Sequence, residues 1–162
     1  MTLAAAHGVR VPRVHEVRSD GLVMELIPGR TMGDDLRRRP WLMRRHVDLL
    51  ARLLDQLHRI PLDGRSLLHL DLHPENVLIS PGGPVIIDWT NARSGDPAQD
   101  VALTWLILAT SGGLPGRVLA RLYRSRVGRE VLKEGLAEAR GFRLADSNVT
   151  DAERVRVLRA TP

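Results

Sequence analysis

Cysteine is absent from the sequence, lysine occurs once, and aromatic residues make up only 3% of the chain. Without thiols there is no disulfide scaffold and no thiolate metal site, and a reducing compartment is the natural setting. The lone lysine, Lys133, leaves arginine to supply all the other members of a basic set of 24. The few aromatics are not interleaved with those arginines, so the base-stacking platform that single-stranded nucleic acid requires is missing. Long apolar runs are missing too. Val101 to Ala109 is the greasiest stretch, far short of the ~20 residues that span a bilayer. Met1 to His7 carries no basic leader, and its apolar run is too short for a signal peptide. Glycine and proline, at 14 and 10 residues, are in ordinary supply and exclude collagen-like or low-complexity chains.

What remains is a chain of 162 residues, 43% hydrophobic and 27% charged. Such a length suits one domain, or one lobe of a larger architecture, and a chain of about 150 residues buries ~70% of its unfolded surface. The net charge of +5 is spread through helical stretches, densest at Arg37-Arg38-Arg39. That knot reads as a solvated face, although its position would also let it meet an anionic substrate. The expectation is a soluble, cytoplasmic protein that binds neither nucleic acid nor membrane.

Along the chain, Val14 to Val17 and Leu22 to Ile27 are short β-rich runs flanking Ser19-Asp20-Gly21, a hairpin signal. Pro28-Gly29 ends the second. Apolar residues then recur at helical spacing from Leu42 to Ile60, predicting a helix over Trp41 to Arg59 with one buried stripe. Val77 to Ile79 and Val85 to Ile87 read as two strands around a Ser80-to-Gly83 turn. Asp96-Pro97-Ala98-Gln99 is a helix start, with Asp96 as cap, Pro97 at the first helical position and Gln99 placed to reach back. The helix that follows, through Ala109, is apolar nearly all round and should be buried. Leu114 to Arg129, Glu130 to Arg140 and Asp151 to Arg159 read as surface helices. Strands first and helices after give a segregated α+β order.

Three oxygen-bearing side chains cluster about the central hairpin: Asp71, Asn76 and Asp88. A hairpin returns the chain to its origin, so Asp88 should come beside Asn76. Oxygen donors of this kind suit Mg2+, which takes one or two protein carboxylates and completes its shell with water and phosphate oxygens. Asp71 is then spare, placed to orient an attacking hydroxyl or accept its proton, as phosphoryl transfer requires.

His69-Leu70-Asp71-Leu72-His73-Pro74-Glu75-Asn76, followed by Ile86-Ile87-Asp88-Trp89, resembles the catalytic loop and metal segment of the aminoglycoside phosphotransferase family. These are small-molecule kinases of protein-kinase-like fold, related to the choline and macrolide kinases. Val23 to Gly29 is similar to the hinge of that family, Leu53 to His58 to the helix before the catalytic loop, and Gly95 to Ala102 to the segment whose aspartate braces that loop. The resemblance implies ATP and Mg2+ as cofactors and a small-molecule hydroxyl as substrate. It implies Asp71 as catalytic base, Asn76 and Asp88 as metal ligands, and Met24, Glu25 and Leu26 as the adenine contact. Asp100 becomes a structural brace. Leu70 stands where this family often has Gly, and Trp89 replaces the Phe-Gly of protein kinases. The resemblance also implies a glycine-rich loop and a strand lysine ahead of the hinge. The residues before Val14 offer neither, so residues 1–30 read as an N-lobe remnant with hinge and 31–162 as a kinase-like C-lobe. A domain fragment, a mis-started frame or a degenerate relative would each give that pattern.

Two other readings stand beside it. A pseudokinase would keep the fold and serve as a nucleotide-binding or interaction module. On a strand, His69, Asp71 and His73 would point one way and could hold a transition metal, as in a hydrolase. His69 is otherwise expected to hydrogen-bond the loop backbone, and His46 and His58 to occupy core or boundary positions.

Overall fold

The computed structural model describes residues 1–162. A short helix α1 (Thr2–Ala6) precedes the antiparallel hairpin β1 (Val14–Arg18) and β2 (Gly21–Met24). The hairpin turns at Ser19-Asp20, as the Asp-Gly signal predicts, but β2 ends at Met24 rather than Ile27. Beyond it, one bond from Glu25 N–H to the Arg13 carbonyl (2.8 Å) continues the ladder. Little side-chain burial supports these strands: Val17 is 75% exposed and Leu26 92%. The core lies elsewhere.

Gly29 has φ of 152°, and a Cβ there would stand 2.5 Å from the Ile79 carbonyl oxygen. Glycine therefore lets β3 (Arg30–Thr31) close on β6 (Val77–Ser80), which pairs in turn with β7 (Gly83–Ile86). The Arg10 carbonyl accepts from Ile86 N–H, and its guanidinium donates to the Gly83 carbonyl, which ties the N-terminal segment to β7. Helix α2 (Met32–Arg38) starts at Thr31, whose hydroxyl accepts from Asp34 N–H. A 3-10 turn at Pro40–Leu42 then replaces the expected first turn of the next helix, and α3 runs over Met43–His58. Its buried face is the stripe read from the sequence: His46, Leu50, Leu53, Leu54 and Leu57.

A second small sheet, β4 (Pro61–Leu62), β5 (Arg65–Leu68) and β8 (Arg93–Gly95), joins distant segments through pairs such as Ser66↔Gly95. Behind it lies α4 (Pro97–Ser111), buried on nearly every side. Asp96 caps it by accepting from Ala98 N–H; Gln99 makes no reciprocal side-chain bond. Helix α5 (Gly113–Val127) ends at Gly128, whose φ of 92° turns the chain into α6 (Arg129–Ala145). Helix α7 (Asp151–Arg159) follows. The α5–α6 break thus falls two residues before the expected one, and α6 reaches beyond Arg140. Helix α6 is more than a surface helix, since Leu132, Gly135 and Ala139 are buried. Gly135 lies directly against the Ala98 carbonyl of α4, and a Cβ there would also come 2.7 Å from Gln99 N. The result is the expected α+β order, dominated by a helical layer. No helix is long and apolar enough to cross a membrane.

Because the wall facing Gly135 is backbone, Gly135→Ala must separate α4 from α6. Overpacking of this kind costs about 1–3 kcal/mol. Chemical denaturation should show that loss.

Candidate active site

Between β5 and β6 the chain makes a loop, residues 69–76, fixed mainly by one side chain. Asp100, fully buried in the first turn of α4, accepts from His69 N–H (2.8 Å) with Oδ2 and from Leu70 N–H (2.9 Å) with Oδ1. His58 Nε2–H donates to the same Oδ2 at 3.1 Å. A little further on, the Leu72 carbonyl accepts from Thr104 Oγ1. Leu70 itself has φ of 59°, a left-handed conformation that costs a non-glycine residue roughly 1–2 kcal/mol. The paired bonds to Asp100 and full burial of the Leu70 side chain offset that strain. Here lies the physical reason for glycine at this position in the resembling family.

The bend at Leu70 delivers Asp71 to the open side of the loop. Asn76, buried at the end of a 3-10 turn (Pro74–Asn76), donates its amide to the Asp71 backbone carbonyl (2.9 Å) and to Asp71 Oδ2 (3.2 Å). Its Oδ1 makes no hydrogen bond. Across the hairpin, Val77 pairs with Ile86, and Ile87 N–H donates to the Asn76 carbonyl at 3.0 Å. Asp88 is therefore the next residue along, set with φ of 57°. It is exposed; Oδ1 accepts from Thr90 and Oδ2 is unengaged. The three side chains singled out in the sequence thus come to one corner of the fold. Two of them present unused oxygens, the hard donor type that Mg2+ prefers.

Burial raises the Asp71 carboxyl above the ordinary range, opposed by the positive fields of His73, His69 and Arg143. Burial likewise holds His73 and His69 below their usual value. His73 Nδ1 lies 3.3 Å from the Glu75 backbone nitrogen, and its Nε2 lies 3.3 Å from the Asn76 amide nitrogen and 3.6 Å from Asp71 Oδ1. His69 Nε2–H donates to the Ile87 carbonyl, as expected of a loop-supporting histidine, and its ring meets Trp89 edge-on at 5.0 Å.

The hydrolase alternative fails on this geometry. His69 gives its Nε2 to the Ile87 carbonyl, and its other nitrogen is buried without a partner. No three His, Asp or Glu side chains gather as a metal-holding group. Met24, Glu25 and Leu26 lie on the exposed hairpin and line none of the cleft that His73 borders. Arg37 is exposed, as the solvated-face reading expects, and pairs with Asp34 at 2.7 Å and Glu75 at 2.8 Å. Glu75 and Arg143 were not legible as site residues in the sequence. Only the H-x-D-x-x-x-x-N frame around Glu75 hinted at the first, and no spacing pointed to the second.

A helical layer carrying an Asp-x4-Asn loop, with a second aspartate returned to it by a hairpin, defines a protein-kinase-like fold. Solved structures agree. The ethanolamine kinase of Plasmodium vivax superposes with a TM-score of 0.61 over 98% of this chain and 69% of its own, at 12% identity. A thermostable mutant of aminoglycoside phosphotransferase APH(4)-Ia, in its apo form, gives 0.62 over 92% and 68%, at 15% identity. The choline kinase LicA of Streptococcus pneumoniae gives 0.50 over 98% and 75%, at 16% identity. The family profile of the phosphotransferase enzyme family (APH) matches residues 62–142, and the chain belongs to that family. An uncharacterized protein of Bacillus subtilis (strain 168), YcbJ, is 50% identical over 40 residues, which is 24% of this chain and 13% of that relative.

Removing the Asp100 carboxylate orphans two buried amides, so Asp100→Ala should cost about 3–5 kcal/mol by urea denaturation, and Asp100→Asn less. Stability should also fall as pH drops below 6.5. The ordinary value for His69 is 6.5 and burial lowers it, so the unfolded chain takes up the proton first. Melting temperatures from pH 8 to 5 should trace that loss, and His69→Gln should lessen it, with His73 supplying the remainder.

Proposed function

We propose that this chain transfers the γ-phosphoryl group of ATP to the hydroxyl of a small molecule. The observation that carries the reading is the partly buried Asp71 carboxylate, 3.2 Å from the Asn76 amide on a loop braced by Asp100. Asp71 accepts a hydrogen bond from the acceptor hydroxyl and aligns its oxygen for in-line attack. As the new P–O bond forms, the bond to the ADP oxygen breaks and the hydroxyl proton passes to Asp71. A carboxyl raised by burial is the better proton acceptor for that step. Asn76 holds Asp71 in place with its amide, while its free oxygen and that of Asp88 are the donors that would hold Mg2+. Bound there, Mg2+ would neutralise charge on the phosphate oxygens. Met24, Glu25 and Leu26, exposed at the end of the hairpin, would contact adenine, although Glu25 N–H is already bound to the Arg13 carbonyl.

One observation favours a non-catalytic nucleotide-binding module instead. The only lysine, Lys133, sits on α6 and pairs with Glu130 at 2.8 Å. The phosphates would then rely on arginine, backbone and Mg2+ for their counter-charge.

ADP release by the purified chain separates the two. Asp71→Ala should lower acceptor-dependent ADP formation ~10²–10⁴-fold, the usual contribution of a positioned base, while Asp88→Ala should remove its Mg2+ dependence. An Asp71→Ala protein with unchanged turnover would contradict the mechanism.

A further inference from the structure

Beside the catalytic loop, a cleft of about 680 Å³ opens between α2, the start of α3, the α4–α5 corner and α6. That volume is typical of a small-molecule site. His73 forms part of its wall and stands 3.6 Å from Asp71, so the cleft leads to the reacting carboxylate. Leu36, Met43, Ile107, Leu108 and Leu119 are the large apolar residues that line the cleft. The α4–α5 corner is held close by glycine: a Cβ on Gly116 would stand 2.5 Å from the Leu108 carbonyl.

Three charged side chains reach the cleft, and each is already engaged. Arg37 bridges Asp34 (2.7 Å) and Glu75 (2.8 Å). The second oxygen of Glu75 accepts from the Thr31 hydroxyl at 2.7 Å. Arg143 pairs with Glu153 (2.8 Å) and Asp146 (3.1 Å). Along the cleft lining, short of Asp71, a polyamine would meet no unpaired carboxylate and a polyanion no unpaired guanidinium. Either would be desolvated against apolar walls without a counter-charge, or would have to break an existing ion pair.

We infer that the acceptor is an uncharged hydroxyl compound with a largely apolar body, excluded from neither end by charge and bound through the leucine-lined wall. The acceptor role rests on the phosphotransferase reading above; the selectivity of the cleft rests on its own lining. Apolar burial supplies the affinity, and the fixed ion pairs supply discrimination against charged rivals.

The test is calorimetric titration of the full chain with three probes: 1,8-octanediol, the polycation kanamycin and the polyanion 3-phosphoglycerate. The diol should bind at least tenfold more tightly than either charged compound. Pro115→Arg, an exposed change at the rim, and Met43→Arg should each weaken the diol at least tenfold without altering Mg–ATP affinity, measured separately. Tighter binding of kanamycin or 3-phosphoglycerate, no binding of any probe, or diol affinity unmoved in both variants would overturn the inference. Diol selectivity in a chain that fails to bind Mg–ATP would instead overturn the phosphotransferase reading and, with it, the acceptor role.

Discussion

The Asp100 carboxylate, fully buried at the start of α4, is the constraint on which the rest of the site depends. A buried carboxylate is costly unless donors surround it, and here two loop amides and one imidazole do so. Its position in the first helical turn adds the favourable end of the α4 dipole. In return, the loop is held in a conformation that Leu70 would not adopt unaided. That bend separates the side of the loop facing the core from the side that carries Asp71. Helix and loop are thus one unit. Displacing α4, as a side chain at Gly135 would do from the other face, displaces the chemistry too.

Around this brace, the site is built from few interactions, each with two effects. The Asn76 amide fixes the Asp71 carboxylate and leaves its own oxygen facing outward. The hairpin pairing of Val77 with Ile86 forms a sheet and sets Asp88 next to the loop. His73 joins Asp71 to the neighbouring cleft, and Glu75 ties the same loop to α2 through Thr31 and Arg37. Burial supplies the electrostatics, raising Asp71 and lowering both neighbouring histidines.

The loop of residues 69–76 and the hairpin that returns Asp88 to it were legible because they are local: a short motif, and a hairpin whose turn residues fix the return of the chain. Helix α3 was legible through its single apolar stripe, and α4 through apolar residues on every side. The small strands β3, β4, β5 and β8 were not, because two to four residues carry no periodicity and their partners lie far away in sequence, as Ser66 and Gly95 do. The extent of α6 was also hidden, since its buried face depends on a glycine meeting the α4 backbone rather than on large apolar residues. The cleft draws on α2, α3, α4, α5 and α6, and no sequence spacing encodes that convergence. The exposure of Arg37 was legible; its pairing with Glu75 was not, because Glu75 belongs to the loop across from it.

The chain belongs to the phosphotransferase enzyme family, and the proposed reaction requires the Asn76 and Asp88 oxygens to meet one cation beside Asp71. Paramagnetic relaxation by Mn2+–ATP, read on the assigned amide resonances, reports that convergence most directly. The account predicts that the amides of Asp71, Asn76 and Asp88 broaden together and before those of the α5–α7 helices. Broadening of Asp71 and Asn76 without Asp88, or broadening centred on another face of the molecule, would contradict it.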